Sequence, residues 1–500
     1  MALPLLVSII YLEFYSAVAF LLGGLITGGA GFLIYRLCRS SPEPESKHGY
    51  ITAAVGWLSL AFWGALPYFI AGLITPPGEA KSFVPPGETY ESSLASLKNP
   101  LSALFESMSG YTTTGLTMIV HEPSVGHGLL FYRSLTQWIG GVGVIVLALA
   151  ILRRPSGSKV VTLFASETKT EKLRPNIIGT ARVVWKIYLV MTVLVAVFLL
   201  AGTLLILPDY GFLPALFDSV NHAMTGMATG GFSVLDDSIA GYGSSAMELL
   251  YMLPMFMGAI SIGVYYKALK QRNVKAFWKD IQFRLLVAFA AAGVPILILL
   301  LLGAEGVGQP LLSGGFQFLS GLTGTGWQTS NIAVWPAEAI IFIVAGALIV
   351  GGSIGSTVGG IKIIRAYWII WGIRWKVLSA FLPARAVQTA KIGGKVLNVR
   401  QINREMAEVA IFVYLYLIFV LLGTILTIRL AGDGFSLAHA FFESASAQGT
   451  VGLSTGITDP AMSPFLKGFY ILQMWTGRLE IIPVLVLIRS IFWGTKARRI

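Results

Sequence analysis

One cysteine, Cys38, stands in a chain of 500 residues, so no internal disulfide can form and the thiol offers no metal-ligand pattern. Charge is nearly as scarce. Asp, Glu, Lys and Arg make up 12% of the chain, where a soluble protein carries about 25%. Hydrophobic residues supply 55%, and the mean hydropathy is +0.74. Those figures exclude a soluble enzyme and require an integral membrane protein. Acids are the scarcer sign, 24 against 36 Lys and Arg, for a net charge of +12. In a soluble chain that surplus would point to nucleic acid. In so apolar a chain it is the surplus that marks cytoplasmic loops, and no nucleic-acid partner is expected. No carboxylate dyad, nucleophile triad or metal-ligand spacing stands out, which leaves a membrane enzyme without a constellation to work with. A secretory leader is missing too: the start, "MALPLLVSIIYLEF", is not basic, no cleavage site is clear, and the apolar run is too long. It is expected to stay as a membrane segment.

What the chain has is apolar runs of about 20 residues, the length a spanning helix needs. They fall at 5–36, 50–73, 129–152, 182–207, 245–266, 282–303, 337–372, 406–430 and 465–492. Between some of them lie shorter mixed segments, 100–111, 213–226, 311–323 and 436–447, too short to cross and suited to re-entrant helices. Thirty of the 36 basic residues gather in the loops 36–49, 153–186, 267–284 and 361–404 and from Arg489 onward. That asymmetry puts those loops and the C-terminus in the cytoplasm, and every short segment then enters from the other face.

From residue 50 onward the order helix, short helix, Gly/Thr loop, helix occurs four times. The four loops align as "ESMSGYTTTGLT" from Glu106, "HAMTGMATGGFS" from His222, "QFLSGLTGTGWQ" from Gln317 and "ESASAQGTVGLS" from Glu443. Ser or Thr holds the fourth position: Ser109, Thr225, Ser320, Ser446. Glycine holds the tenth: Gly115, Gly231, Gly326, Gly452. One such loop is no more than a close helix contact built from small residues. Four copies, each after a half-length helix on one side, call for a shared purpose. Glycine permits backbone angles closed to other residues, so successive carbonyls can face one way. Four loops around an axis then offer rings of oxygens that replace an ion's water shell. The short helices would aim their partly negative C-terminal ends at the centre and favour a cation. The expected cation-binding residues are Thr112, Thr113, Thr114 and Gly115; Ala228, Thr229, Gly230 and Gly231; Thr323, Gly324, Thr325 and Gly326; and Gly449, Thr450, Val451 and Gly452.

With these loops on the page, the chain resembles the TrkH/KtrB/HKT superfamily of potassium transporters, and its TrkH branch most closely. "QWIGGVGVIVLALAIL" at 137–152, "GGSIGSTVGGIKIIR" at 351–365 and "GRLEIIPVLVL" at 477–487 carry the likeness beyond the loops. The resemblance implies an all-α integral membrane protein with four pseudo-symmetric helix–pore-loop–helix units around one central pore, plus an extra N-terminal segment. The units would be 50–153, 154–267, 268–378 and 379–500, after an N-terminal segment at 1–49. Glycine in all four filters implies potassium as the transported ion, with some sodium leakage. The resemblance further implies a homodimer, no organic cofactor on this chain, a prokaryotic inner membrane surrounded by lipid, and a cytosolic TrkA-like nucleotide-binding ring docked on the basic loops 265–279 and 375–400. Residues 1–38 are short for the two extra helices usual in that branch, so one long tilted helix or one helix plus an interfacial piece is expected.

Two features lie below the loops. "IVGGSIGSTVGGIK" interrupts an apolar run, but it fails the phosphate-loop pattern, since Ile361 follows Gly360 and no Ser or Thr follows Lys362. A glycine kink for packing would also place glycines here. The reading preferred is a mid-membrane loop, and the resemblance makes Gly351, Gly352, Ser353, Gly355, Ser356, Thr357, Gly359 and Gly360 a gate. Arg478 sits inside the last apolar span, where a charge is costly and usually functional. Glu480, two residues on, would not face it on a helix. The resemblance points Arg478 at the pore as a fixed barrier to cations. Glu106, Asp218 and Glu443 on the short helices either attract cations or satisfy local backbone donors, and His121, His127 and His439 read as structural or solvated. A solute carrier coupled to sodium or protons is the competing reading, but it would show two related halves rather than four matched loops.

Overall fold

A computed structural model describes residues 1–39, 46–152, 177–383, 389–392 and 395–494. The expected boundary at 153/154, the basic stretch 153–176 and the last six residues lie outside that set. The fold is all-α: apolar helices surround four half-length ones, and the two short strand pairs are minor.

The half-length helices are Pro100–Tyr111, Phe212–Met227, Pro310–Leu322 and Leu437–Gly449, within a residue or two of the expected segments. Their starts are coded locally. Asn99 accepts from the Leu101 amide ahead of Pro100, and Pro310 opens the third helix. Ser436 and His439 form a reciprocal cap on the fourth, which gives His439 its structural role. Long helices of 30, 21 and 32 residues, Ile177–Ile206, Ile281–Leu301 and Val399–Leu430, present leucines such as Leu205, Leu299 and Leu421 outward. Serines, threonines and amides on the half-length helices are instead fully buried. This inverted arrangement suits lipid outside and a polar path inside.

Three expected spans are broken rather than continuous. Span 245–266 divides into Ser245–Gly258 and Ile262–Gln271, bent by 89°. Span 465–492 divides into Pro464–Arg478 and Ile482–Trp493, bent by 116°. Span 337–372 becomes Ala337–Ile343, a π-turn over Val344–Leu348, a loop, and Ile363–Ser379. Hydropathy averages side chains and does not register such breaks; the 259–262 break and the loop after Ile349 satisfy each other, Ser353 donating to Ala259 and Ile262 to Gly355, whereas at the last break Leu479 and Ile481 turn back to Trp475 and Thr476.

The N-terminus resolves into a nine-residue helix, Ala2–Ile10, and a long one, Phe14–Cys38, joined through Leu12 at φ 60°. Glu13, 4% exposed at that joint, accepts from the amides of His127 at 2.5 Å and Gly128 at 2.9 Å. It thereby occupies the positive end of helix His127–Leu152 and latches the extra segment to the first unit. His127 also meets the Glu13 carboxylate through Nδ1 at 3.2 Å and stacks on Tyr11. Glu13→Ala should lower the thermal midpoint of the detergent-solubilised protein, with a loss of about 1–3 kcal/mol for the stranded, buried Gly128 amide and the part-buried one of His127. An unchanged midpoint in scanning fluorimetry would show the contact to be incidental.

Candidate ion pathway

Each half-length helix ends at the sixth or seventh position of its repeat, and the four loops then share one conformation. The ninth-position amide donates back to the fourth-position carbonyl at 2.9 Å in every unit: Thr114 to Ser109, Gly230 to Thr225, Thr325 to Ser320, Val451 to Ser446. The eighth residue is left-handed in all four, with Thr113 at φ 53°, Thr229 at 50°, Gly324 at 63° and Thr450 at 51°. The tenth-position glycines follow at φ 98°, 77°, 83° and 93°. Three left-handed threonines are not legible in sequence, because the residue type disfavours that conformation.

The glycines close a ring. A Cβ on Gly115 would strike the Gly230 carbonyl oxygen, one on Gly231 that of Thr325, one on Gly326 that of Val451, and one on Gly452 that of Thr114. Each unit's tenth residue thus abuts the ninth-position carbonyl of the next, and the fourth unit returns to the first. Only glycine fits, both for its φ and for this approach. On one side of the ring lies a cavity of about 130 Å³ lined by all four glycines together with Thr117, Glu122, Ser233, Gln328, Ser454 and Thr458. The hydroxyls of Thr112 and Thr114 pair at 2.8 Å, as do those of Thr323 and Thr325, so they brace their own loops. Ala228 caps the second half-length helix and accepts from the Thr229 hydroxyl.

Two residues passed over in sequence hold the ring. Arg133, 1% exposed, donates to Glu106 at 2.8 Å and to the Ser233 carbonyl at 2.9 Å, and lies over the Phe232 ring. Gln137 donates to the Gly230 carbonyl at 2.5 Å and accepts from the Phe232 amide. A charge inside span 129–152 was the available signal, the same one that singles out Arg478. Glu106 and Glu443 are consumed by local donors: Thr117, Met118 and Arg133 for the first, Ser454, Thr455 and Thr458 for the second. Asp218 faces Tyr210 and Tyr242. His121 stacks on Tyr90 and meets Asp236. The carboxyl that lines the cavity is Glu122, which pairs with Arg133 at 3.5 Å. Burial lifts it from the usual 4.5 to about 8, with Arg133 opposing and Asp236 adding to the rise.

On the other side of the ring sits the loop 349–362. Val350–Gly351 pairs in parallel with Ile361–Lys362 and pins its two ends together. Ser353 donates to the Ala259 carbonyl and Gly355 accepts from the Ile262 amide, so the loop stitches into the break of span 245–266. The Thr357 hydroxyl reaches Thr229 at 3.0 Å, the Met227 carbonyl at 3.1 Å and the Gly258 carbonyl at 3.2 Å. A Cβ on Gly359 would strike the Thr450 hydroxyl, and Gly360 turns at φ 65°. Gly352 accepts from the Ile363 amide and Ser356 donates to the Ser353 carbonyl. The loop therefore touches the second and fourth units of the ring at once.

Arg478, 3% exposed, donates to the Thr357 carbonyl and to those of Gly140 at 3.0 Å and Gly141 at 3.3 Å. Lys362 donates to the Val358 carbonyl. Glu480 does not pair with Arg478; the chain breaks between them, with Glu480 at φ 64° and Ile481 at φ 57°, and Glu480 meets Arg365 at 2.6 Å. Among the described residues no group of three or more His, Cys, Asp or Glu is placed to hold a metal ion.

The chain matches the family model TrkH, described as a cation transport protein, over residues 34–494. The Trk system potassium uptake protein TrkH of Salmonella typhimurium is 30% identical over 91% of this chain and 88% of its own length. An uncharacterized cation transporter of Methanocaldococcus jannaschii is 29% identical over 98% of this chain and 92% of its own. The crystal structure of the potassium transporter TrkH from Vibrio parahaemolyticus superposes with a TM-score of 0.77 at 27% identity, covering 98% of this chain and 95% of that one. By ring, loop and likeness together, this chain is a transport protein rather than an enzyme, and it belongs to the TrkH family of cation transport proteins.

Proposed function

We propose that the chain carries potassium into the cell through the ring of four loops, as a pore made of units 50–153, 154–267, 268–378 and 379–500. The observation that carries this reading is the closed contact of each tenth-position glycine with the next unit's carbonyl. Backbone oxygens held that tightly can exchange for an ion's water without large side-chain rearrangement. The filter comprises residues 112–115, 228–231, 323–326 and 449–452. The relatives' names, potassium uptake proteins, support the choice of ion. The cavity beside the glycines is then the outer vestibule, where a dehydrating cation meets hydroxyls and Glu122 first.

Residues 351–360 are the gate, and Arg478 is its clasp. A guanidinium donating to the loop and to two carbonyls of the first unit ties moving and fixed parts together. Its charge also opposes a cation arriving from the filter. Opening needs the loop to leave Thr229, Met227, Gly258 and Arg478 together. A cytosolic TrkA-like nucleotide-binding ring, docked on basic loops that lie partly outside the described residues, supplies that work in a homodimer of the inner membrane with its C-terminus inside.

Three outcomes follow. In proteoliposomes, potassium and rubidium flux should exceed sodium and lithium flux; equal sodium flux would overturn the potassium assignment. Arg478→Ala removes charge-assisted bonds worth about 1.5–3 kcal/mol, so potassium flux without a partner should rise about tenfold or more; unchanged flux would remove Arg478 from the gate. As external pH rises through about 8, Glu122 passes from neutral to ionised, so potassium flux should increase across that range and Glu122→Gln should flatten the profile. A profile shared by wild type and variant would place the titration elsewhere.

A further inference from the structure

The first position of the repeat carries three kinds of side chain, Glu106 and Glu443, His222, and Gln317, and all four residues are fully buried. Each reaches across its own loop to the residues just beyond the tenth-position glycine. Glu106 accepts from Thr117 Oγ1 at 2.9 Å and the Met118 amide at 2.8 Å. Glu443 accepts from Ser454 Oγ at 2.7 Å and the Thr455 amide at 2.9 Å. Gln317, with its amide oriented to suit its neighbours, accepts from the Thr329 amide at 2.8 Å and donates to the Trp327 carbonyl at 3.2 Å. In the second unit the reach is a single bond, His222 Nε2 to Ser233 Oγ at 3.1 Å. The half-length helix is thus buckled to the vestibule end of its loop four times, with three side-chain chemistries.

The second buckle extends through a chain of hydroxyls to a carboxylate. His222 Nδ1 lies 2.9 Å from the Tyr251 hydroxyl, which lies 2.9 Å from that of Tyr242, which meets Asp218 Oδ2 at 3.2 Å. Tyr210 donates to the same carboxylate oxygen at 2.5 Å. One proton order satisfies every member. Ser233 Oγ accepts from the Leu235 amide, and in this order its hydrogen goes to Nε2. Nδ1–H then donates to Tyr251, Tyr251 to Tyr242, and Tyr242 to Asp218. The reverse order leaves the Ser233 hydrogen and one tyrosine contact unused, and a buried unmade bond is costly. A carboxylate at the far end therefore fixes the imidazole tautomer at the ring.

We propose that His222 is the positioning residue of the second filter segment, and that the Tyr251–Tyr242–Asp218 chain holds it in the tautomer that accepts from Ser233. Ser233 is three residues beyond Gly230, whose carbonyl abuts Gly115 of the first unit. Loosening this buckle widens the ring at the contact between units one and two, and a wider, softer ring discriminates less well between potassium and sodium. The proposal rests on the potassium-filter reading above. His222 is fully buried behind its loop and does not line the cavity beside the glycines, so its effect is on the permeability ratio rather than on conduction as such.

The test is the sodium-to-potassium permeability ratio, from reversal potentials under bi-ionic gradients in planar bilayers, for wild type, His222→Leu, His222→Gln and Tyr251→Phe. Losing one net hydrogen bond should raise the ratio about fivefold in His222→Leu. His222→Gln should bring it back toward wild type, because Gln317 performs the same reach in the third unit. Tyr251→Phe, which removes one oxygen two bonds from the ring, should raise it by a smaller factor. A monodisperse His222→Leu protein with the wild-type ratio would overturn the proposal. Should that variant fail to assemble, an unchanged ratio in Tyr251→Phe overturns it equally. A wild-type protein with no preference for potassium would instead sink the underlying filter reading.

Discussion

The contact between each tenth-position glycine and the next unit's carbonyl is the constraint on which the rest of the structure depends. It needs a left-handed glycine, a left-handed residue two positions earlier and a half-length helix that stops in register. It also needs four such units to meet at one place. Every polar group left over by broken backbone in an apolar surround must then be satisfied within the protein. Hence the dense hydrogen bonding around the ring: fourth-position hydroxyls, first-position side chains, Arg133 and Gln137.

Burying Arg133 beside Glu106 follows the same logic. A buried charge is tolerable when paired and fully bonded, and Arg133 spends its donors on Glu106, Thr117 and the Ser233 carbonyl. It ties the first loop to the second. On the opposite side of the ring, Arg478 has no carboxylate partner at hand and turns to carbonyls of the loop and of helix His127–Leu152. One cation is paired with a carboxylate; the other, among the described residues, is held by carbonyl oxygens. The two differ in their partners rather than in residue type or depth.

The loop 349–362 shows how one segment can report on several others. Its backbone continues the broken span Ser245–Gly258, its Thr357 touches the second unit's ring residue, and its Gly359 packs on the fourth unit's Thr450. Glu480, freed from Arg478 by the break in the last span, instead joins that break to Arg365 on helix Ile363–Ser379. The loop is therefore bound directly to both neighbouring helix breaks, through Ala259 and Ile262 at one and Arg478 at the other.

Much of this was legible in the order of residues. The four half-length helices, the glycines at the tenth position, the interruption at 351–360 and the buried arginine at 478 all carry local signals: segment length, glycine spacing, or charge in an apolar run. Other features were decided only by the tertiary structure, because they depend on partners far away in sequence. Threonines 113, 229 and 450 are left-handed because the ring holds them so, against their own preference. Two of the three broken spans satisfy each other's freed backbone groups, Ser353 donating to Ala259 and Ile262 to Gly355. Glu106 and Glu443 could have faced ions or donors, and the fold gave them donors. Glu480 found Arg365, 115 residues away, rather than its near neighbour. Sequence fixes which residues can occupy a turn or a membrane depth; only the closed ring decides what each buried polar group meets there.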